Sequence, residues 1–265
     1  MVMLTAEGLS VRLGGVSVIE GITLSMTGGE MIGVLGPNGA GKSTFARSLV
    51  GLVPRAAGRV TLDAQDIEGI PAAALARRIA YVPQAYAVHW PITVARLVGL
   101  GRLPHLGPFS RITAIDRAAI EQAMRDTGTT HLANRTATEL SGGELARVML
   151  ARALSTEAKA LIADEPLTSL DPSHQLEIMA LLRAHAESGA LVIVVLHDLS
   201  VAARFCDRLL MIDHGRLIGD GRPADVLTDA MLAKVYGITA WRGTAGGKPL
   251  LVPLDQVKDA PADPA

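Results

Sequence analysis

The sequence has little cysteine, few aromatic residues and no excess of charge of either sign. Its single cysteine, Cys206, has no partner within the chain for a disulfide, which is typical of proteins from a reducing compartment. Only 3% of the 265 residues are aromatic, and the 25 Lys and Arg nearly balance the 26 Asp and Glu. Neither base-stacking platforms nor a basic surface are therefore indicated, so we expect no nucleic acid among the partners. Cys206 lies among small apolar residues and is interpreted as a buried hydrophobe rather than a reactive thiol.

Long hydrophobic runs are also missing. The longest purely apolar run in the C-terminal half, Leu191 to Leu196, is far shorter than the ~20 residues that cross a bilayer. The N-terminus shows no basic segment followed by an apolar stretch, so we expect no signal peptide and a protein that is soluble when isolated. The length allows either one large core with subdomains or two small domains.

One stretch does carry a complete motif, G-x-x-x-x-G-K-[ST], at residues 36–44. A strand-like run, 31–35, precedes it and a helical pattern, 45–52, follows it. An ordinary Gly-rich turn is the alternative, but this strand–loop–helix context favours a phosphate site, because the phosphate must reach a helix N-terminus. The glycines let backbone N–H groups turn toward an anion, Lys42 suits the β- and γ-phosphates, and the Ser43 hydroxyl suits Mg²⁺. The predicted phosphate-binding residues are Gly36, Pro37, Asn38, Gly39, Ala40, Gly41, Lys42, Ser43 and Thr44.

Several apolar runs predict a parallel sheet behind this loop. Residues 160–165 and 191–197 are continuous apolar runs that end in polar residues, and 77–84 is interpreted as another core strand. Runs without alternation are typical of strands covered on both faces, and ligand chemistry gathers at the carboxyl ends of such strands. At that edge we expect the phosphate loop to meet Gln84, Asp164, Glu165 and His197.

Asp164 and Glu165 are neighbours at the end of one predicted strand. Since side chains alternate along a strand, the two carboxylates should serve two purposes. We assign Asp164 to Mg²⁺, through water, and Glu165 to the water that attacks the γ-phosphate. The alternative is a strand-end turn with a helix N-cap. For His197, both a satisfied structural histidine and a γ-phosphate contact stay open.

A second glycine motif follows at Leu140-Ser141-Gly142-Gly143-Glu144. Ser141 and Glu144 have the spacing of a capping box, which predicts a helix start. The alternative interpretation is a second anion site, because two glycines at a helix N-terminus expose N–H groups at the positive end of the helix dipole. Two phosphate cradles about a hundred residues apart suggest a site completed by a partner chain.

The remaining segments predict smaller units around the core. Alternation over 9–13 and 22–26, a strand-like run over 16–19 and the glycine turns between them predict short antiparallel strands, to which 60–62 adds. Helical patterns over 94–99, 116–126 and 130–134 predict a helical subdomain, with the Gly- and Pro-rich stretch 101–108 between them. Residues 241–265 predict a hairpin across Gly246-Gly247 and a disordered tail over 258–265.

Together these motifs resemble the ATP-binding subunit of ABC transporters over nearly the whole chain. In that family Gln84 corresponds to the Q-loop, 140–144 to the signature, 161–165 to Walker B, 169–171 to the D-loop and His197 to the switch histidine. The resemblance implies an α/β fold: a RecA-like P-loop core with an antiparallel β subdomain and an inserted helical subdomain over about 85–158. This single domain would span 1–240.

The resemblance also implies partners and roles. A head-to-tail dimer with a second copy would place Ser141, Gly142, Gly143 and Glu144 on the ATP of the other chain and Asp171 at the interface. Glu165 and His197 would be catalytic, and Mg²⁺ would be held by Ser43, Gln84 and Asp164. The dimer would drive a multi-span permease at the cytoplasmic face of the membrane, with an exported substrate-binding protein as an indirect partner.

Two positions depart from the family pattern. Glu144 stands where glutamine is usual, and we expect its carboxylate to face away from the γ-phosphate. Leu13 stands where an aromatic residue usually stacks on adenine, so the base contact would rest on dispersion and burial, and purine selectivity would be loose.

A narrower resemblance is to importers of ferric siderophores, haem and cobalamin, on residues 91–94, 100–107, 224–228 and 235–238. Within that branch we expect a ferric siderophore, with haem or cobalamin as alternatives; a plain loop between helices is the other interpretation of 100–107. His105 stands alone and is not interpreted as a metal ligand. A non-transport ATPase that acts on ribosomes or DNA is disfavoured because the chain has a single cassette. A regulatory subunit that does not hydrolyse ATP is disfavoured because Glu165 and His197 are both present.

Overall fold

The fold is described from a computed structural model for residues 1–84, 88–107, 109–168 and 170–257. Its strands are β1 (Met3–Leu13), β2 (Val16–Thr27), β3 (Met31–Leu35), β4 (Ala57–Leu62), β5 (Gln65–Asp66), β6 (Ile79–Val82), β7 (Ala160–Asp164), β8 (Leu191–Val195), β9 (Arg208–Asp213), β10 (Arg216–Gly221), β11 (Ile238–Ala245) and β12 (Lys248–Gln256). Its α-helices are α1 (Lys42–Leu49), α2 (Ala72–Ala76), α3 (Val94–Gly99), α4 (Ala114–Asp126), α5 (Gly142–Leu154), α6 (Pro172–Glu187), α7 (Leu199–Phe205), α8 (Pro223–Val226) and α9 (Asp229–Tyr236). No helix within these ranges has both the length and the apolar character needed to span a bilayer.

A six-stranded sheet forms the centre of the molecule, in the order β10-β9-β3-β8-β7-β6. The strands from β9 to β6 run parallel, and β10 pairs antiparallel at the edge. Every residue of β3, β7 and β8 is buried, because these apolar runs are covered on both faces by separate hydrophobic clusters. The predicted α/β fold with a parallel core is confirmed.

An antiparallel sheet, β2-β1-β4-β5, packs beside this core. The prediction of short strands over 9–13 and 22–26 was wrong in extent, since β1 and β2 are 11 and 12 residues long. Both strands continue through glycines, Gly8 and Gly21, whose φ angles of 59° and 61° accompany register shifts in the ladder. A bulge bends a strand without ending its pairing, so the glycines punctuate these strands rather than terminate them.

The helical subdomain has its own hydrophobic cluster, built mainly from α3, α4 and α5. The predicted helix over 130–134 is only a 3₁₀ turn, Thr130–Leu132, and the Gly- and Pro-rich stretch 101–108, predicted to separate two helices, lies largely in a 3₁₀ helix, Leu100–His105. The reason is tertiary: Arg102 is 3% exposed and donates to Asp116 Oδ1 (2.9 Å) and to the Ser155 carbonyl (2.8 Å). Pro108 lies outside the described residues, as do 85–87 at the predicted start of this subdomain.

The C-terminal segment folds as a hairpin of β11 and β12. β11 and β12 pair across Gly246 and Gly247, with Ala245 opposite Lys248, and both glycines have positive φ. Leu251 of β12 is buried, and its carbonyl accepts a hydrogen bond from Ser200 of α7, which fixes the hairpin on the core. The predicted disorder over 258–265 falls outside the described residues.

Candidate functional site

The phosphate loop has a backbone that only glycine accommodates at two positions. Gly36 and Gly41 have φ angles of 150° and 100°. A Cβ on Gly36 would lie 2.0 Å from the Ile212 carbonyl oxygen, and one on Gly41 would lie 2.8 Å from that of Val18. α1 begins at Lys42 without a side-chain cap, so no side chain competes for its N-terminal N–H groups. This is the arrangement with which helix N-termini bind phosphate.

Lys42 turns back into the loop that it follows. Its side chain is buried, and Nζ donates to the carbonyl oxygens of Gly36 (2.9 Å) and Pro37 (3.0 Å). Burial lowers the pKa of Lys42, whereas the charges of Glu165 and Asp164 act in the opposite direction. Lys42 therefore places a positive charge at the base of the loop, where it interacts electrostatically with the carboxylates of Glu165 and Asp164.

Asp164 lies at the end of β7 and is fully buried. Oδ1 accepts a hydrogen bond from Ser43 Oγ at 2.9 Å, and Oδ2 accepts one from the Tyr81 hydroxyl at 3.1 Å. Burial raises the pKa of Tyr81 to about 12, so its phenol stays protonated and donates. Arg47 Nε donates to the same phenolic oxygen at 3.4 Å. The Ser43–Asp164 pair supplies two oxygens that fit a hard cation such as Mg²⁺, which takes few protein ligands and completes its shell with water and phosphate.

Glu165 does not continue the strand as its sequence position suggested. β7 ends at Asp164, and Glu165 has a φ of 52°, in the left-handed region. That turn directs its carboxylate to different partners from those of Asp164: Gln84 Nε2 donates to Oε2 at 2.7 Å, and His197 Nε2 contacts Oε1. The expectation that the two carboxylates separate is met, but through a backbone turn rather than strand alternation.

These contacts sort the predicted site residues into two groups. Ser43 and Asp164 form one pair, while Gln84 and His197 both contact Glu165. Gln84, predicted at Mg²⁺, is therefore placed beside Glu165 rather than in the Ser43–Asp164 pair, and its metal role stays a prediction. The structure still gathers these residues beside the carboxyl ends of β3, β6, β7 and β8, as the sequence indicated.

The signature segment begins α5 with the predicted capping box. Glu144 N donates to Ser141 Oγ at 3.3 Å, and Ser141 N donates to Glu144 Oε2 at 2.8 Å. Arg135 Nη1 donates to the other carboxylate oxygen at 2.8 Å. The hydrogen bond from Ser141 and the charge of Arg135 lower the pKa of Glu144. The carboxylate therefore stays ionised, and the positive charge of Arg135 compensates its negative charge. Among the described residues, no hydrogen bond or ion pair joins 141–144 to 36–44.

Two further predicted residues have clear local positions. Asp171 caps α6: Oδ1 accepts from His174 N at 3.0 Å, and Oδ2 lies 2.7 Å from His174 Nδ1. These bonds lower the pKa of Asp171. Leu13, at the end of β1, is 44% exposed and stands opposite Val16 across the Gly14-Gly15 turn. The roles of Asp171 at an interface and of Leu13 at adenine stay predictions, and Ser169 of the D-loop lies outside the described residues.

Sequence reasoning missed two side chains beside the site, Tyr81 and Arg135. Tyr81 contacts Asp164 because β6 pairs in parallel with β7, with Tyr81 opposite Ile162. Neither that register nor the reach of Arg135 to Glu144 leaves a motif in the sequence. The Tyr81 position, three residues before Gln84 in a predicted core strand, was the one available signal.

The chain is similar to known proteins over most of its length. The family model described as ABC transporter matches residues 19–168. The hemin import ATP-binding protein of Pseudomonas entomophila is 43% identical over 241 residues, covering 89% of this chain and 93% of that protein. The cobalamin import ATP-binding protein of Halobacterium salinarum is 40% identical over 263 residues, covering 98% of this chain and 66% of that protein.

A solved structure shows the same fold. It is a dimeric, post-hydrolysis ATP-binding cassette bound to ADP and phosphate, 25% identical, with a TM-score of 0.73 over 83% of this chain and 98% of the other. The geometry of the phosphate loop and of the neighbouring carboxylates Asp164 and Glu165 is consistent with these similarities. The chain belongs to the ABC transporter family and is an ATP-hydrolysing subunit of it, similar to the subunits of its importer branch.

Proposed function

We propose that this chain powers the import of a metal-bound tetrapyrrole or corrinoid, haem or cobalamin, through a separate membrane permease. The observation that carries the proposal is the identity of 43% and 40% to subunits named for hemin and cobalamin import, over 89% and 98% of the chain. A ferric siderophore, expected within the importer branch that residues 91–94, 100–107, 224–228 and 235–238 resemble, is the second candidate and rests on that sequence resemblance alone.

The described contacts support a hydrolytic chemistry in which each site residue has one role. Backbone N–H groups of the phosphate loop and Lys42 bind the β- and γ-phosphates of ATP. Ser43 and Asp164 would hold Mg²⁺, which supplies positive charge to the phosphates when it is bound. Glu165 polarises the attacking water, and it is oriented for this by Gln84 and His197 on its two oxygens. Tyr81 orients Asp164.

A second copy of the chain completes the site. The N-terminus of α5, with Ser141 and two glycines, is available for an anion, but no described hydrogen bond links it to the phosphate loop of its own chain. A head-to-tail dimer brings it to the γ-phosphate of the partner's ATP. The solved dimer of a cassette with ADP and phosphate supports the association of two copies. The dimer would act on the permease at the cytoplasmic face of the membrane, and an exported binding protein would deliver the cargo.

Affinity capture with the Glu165→Gln variant tests the assembly. Without the carboxylate that polarises water, the variant should hold ATP in a closed dimer, so we expect it to retain a multi-span permease from solubilised membranes of its host when ATP is present. Glu7→Gln, which changes a partly exposed acid that pairs with Arg59 on the antiparallel sheet, is the matched control and should behave as the native chain. Recovery of ribosomal or DNA-repair proteins, with no membrane protein, would overturn the transport proposal.

The cargo is tested with the captured permease in liposomes that also hold the cognate binding protein. We expect haem or cobalamin, supplied with that binding protein, to raise ATP hydrolysis and to enter the vesicles. A response to a ferric siderophore alone would replace the proposed cargo by the second candidate and leave the ATPase assignment intact.

A further inference from the structure

A cavity of about 570 Å³ lies between the C-terminal hairpin and the core, away from the nucleotide site. Its volume falls within the range of about 300–1,000 Å³ that is usual for small-molecule sites. Much of its lining is apolar, contributed by the end of α7, the end of α8 and strand β12: Ala203, Phe205, Leu227, Leu250 and Leu251. Such a lining favours a ligand with an apolar body.

The charges around this cavity are strongly unequal. Five cations line it, Arg183, Arg204, Arg222, Arg242 and Lys248, against two acids, Glu187 and Asp207. Arg183 forms ion pairs with both acids, and Arg242 is paired with Asp229. Within the described ranges, the other three cations have no ion-pair partner. The cavity therefore has a net positive lining that its own acids do not neutralise.

Two of these three cations are held over the apolar lining. The Arg204 guanidinium carbon lies 5.7 Å from the centroid of the Phe205 ring, and Lys248 Nζ lies 5.3 Å from it. At these distances a cation is attracted to the ring, which fixes positive charge at the edge of the apolar surface. Lys248 comes from β12 and Arg204 from α7, so both sides of the cavity contribute.

We propose that this cavity binds an amphipathic organic anion, a carboxylate or phosphate ester attached to an apolar body. The anionic group would lie with Arg204, Arg222 and Lys248, and the apolar part would contact Phe205 and the leucines. A free acid and the headgroup end of an anionic lipid share this chemistry, and a comparison of laurate with phosphatidylglycerol vesicles distinguishes them.

The position of the cavity links it to ATP hydrolysis. α7 begins two residues after His197, which contacts Glu165, and ends at Phe205 in the cavity wall. Asp198 caps α7 by accepting from Ser200 N and Val201 N at 2.7 and 2.9 Å. On the other side, Asp207 accepts from the N–H of Met31, the first residue of β3, which leads to the phosphate loop. A bound ligand that restrains α7 should therefore lower the rate of ATP turnover.

The hairpin supplies a local reporter for a binding test. The Trp241 ring packs on Gly243, a lining residue, so closely that a Cβ there would lie 2.1 Å from it. The chain has two tryptophans, and Trp90→Phe leaves Trp241 as the only one. We would titrate this variant with laurate and with dodecyl phosphate, using dodecanol and inorganic phosphate as probes that lack one half of the proposed chemistry. Saturable changes in Trp241 emission are expected with the two amphiphilic anions only.

The role of the two cations is tested with the double variant Arg204→Gln/Lys248→Gln, in which uncharged polar side chains replace them beside Phe205. We expect about tenfold weaker laurate binding and loss of the laurate effect on kcat, with ATPase in the absence of laurate unchanged. Arg111→Gln/Lys234→Gln removes two exposed cations elsewhere and should bind as the native chain. Binding of laurate would identify the ligand as a free acid. Binding to phosphatidylglycerol vesicles but not to laurate, if the Arg204→Gln/Lys248→Gln variant loses it, would identify a lipid headgroup. Equal binding of dodecanol, or equal loss in both double variants, would overturn the proposal.

Discussion

Gly101→Ala is the substitution whose effect can be worked out most directly from the contacts of the helical subdomain. Gly101 lies in the 3₁₀ helix Leu100–His105 with ordinary backbone angles, so alanine there adds no backbone strain. The added Cβ, however, would lie 2.1 Å from the Arg152 carbonyl oxygen and 2.2 Å from Ser155 Oγ. A hydroxyl can rotate away, but the backbone oxygen at the end of α5 cannot. The 3₁₀ helix and α5 must therefore separate by about 1 Å to restore a normal contact.

The cost of that separation can be estimated. Overpacking in a well-packed site costs about 1–3 kcal/mol, and a clash with backbone belongs at the upper end. The shift also strains the neighbouring Arg102, whose guanidinium donates to the Ser155 carbonyl at 2.8 Å and to Asp116 at 2.9 Å. We expect a loss of about 3 kcal/mol in the free energy of unfolding, or about 6–12 °C in Tm for a chain of this size.

Gly99→Ala, two residues earlier, is the matched control. A Cβ there meets its nearest atom, Ile120 Cδ1, at 3.5 Å, an ordinary contact. Since Gly99 is the last residue of α3, alanine should leave stability unchanged or raise it by up to about 1 kcal/mol. Urea and thermal unfolding of both full-length variants, followed by circular dichroism, measure the difference. Equal stability of the two variants would refute the close approach of Gly101 to α5.

Three further predictions address the nucleotide site. Ser141→Arg should keep ATP binding but abolish hydrolysis, because the long side chain blocks the partner's site; loss of binding in equilibrium titrations would contradict a role across chains. Tyr81→Phe removes the hydrogen bond to Asp164 Oδ2, and we expect about tenfold higher KM for the Mg²⁺–ATP complex; an unchanged KM would show that Tyr81 does not orient Asp164. If Leu13 replaces stacking, GTP should compete with ATP almost equally in a binding assay, and a strong preference for ATP would show that adenine is recognised in another way.

The parts of the molecule that the sequence predicted are those encoded locally. The phosphate loop needs its glycines and Lys42 within nine residues, and the capping box needs only Ser141 and Glu144. The buried parallel strands were predicted because their apolar runs lack alternation, a pattern that follows from covering both faces of a strand. In each case the physical cause acts over one helical turn, one loop or one strand.

The parts that were missed depend on contacts between distant segments. Tyr81 reaches Asp164 across 83 residues through the pairing of β6 with β7. The Gly- and Pro-rich stretch 101–108 was interpreted as a separator between helices, yet Gly101 permits a close approach and Arg102 makes buried hydrogen bonds. Composition alone could not distinguish a glycine used for packing from one used for a turn.

The left-handed turn at Glu165 has a consequence for how hydrolysis is coupled to the rest of the chain. Because the turn moves the carboxylate off the line of β7, its two oxygens are held by side chains from two different segments, Gln84 and His197. Gln84 precedes the entry to the helical subdomain, and His197 precedes α7, which ends at the C-terminal cavity. Displacement of either segment would remove one of the two contacts that orient Glu165. If Glu165 activates the attacking water as proposed, hydrolysis can respond through this one carboxylate to changes in the helical subdomain and at the C-terminal cavity, whereas Asp164, fully buried between Ser43 and Tyr81, is shielded from them.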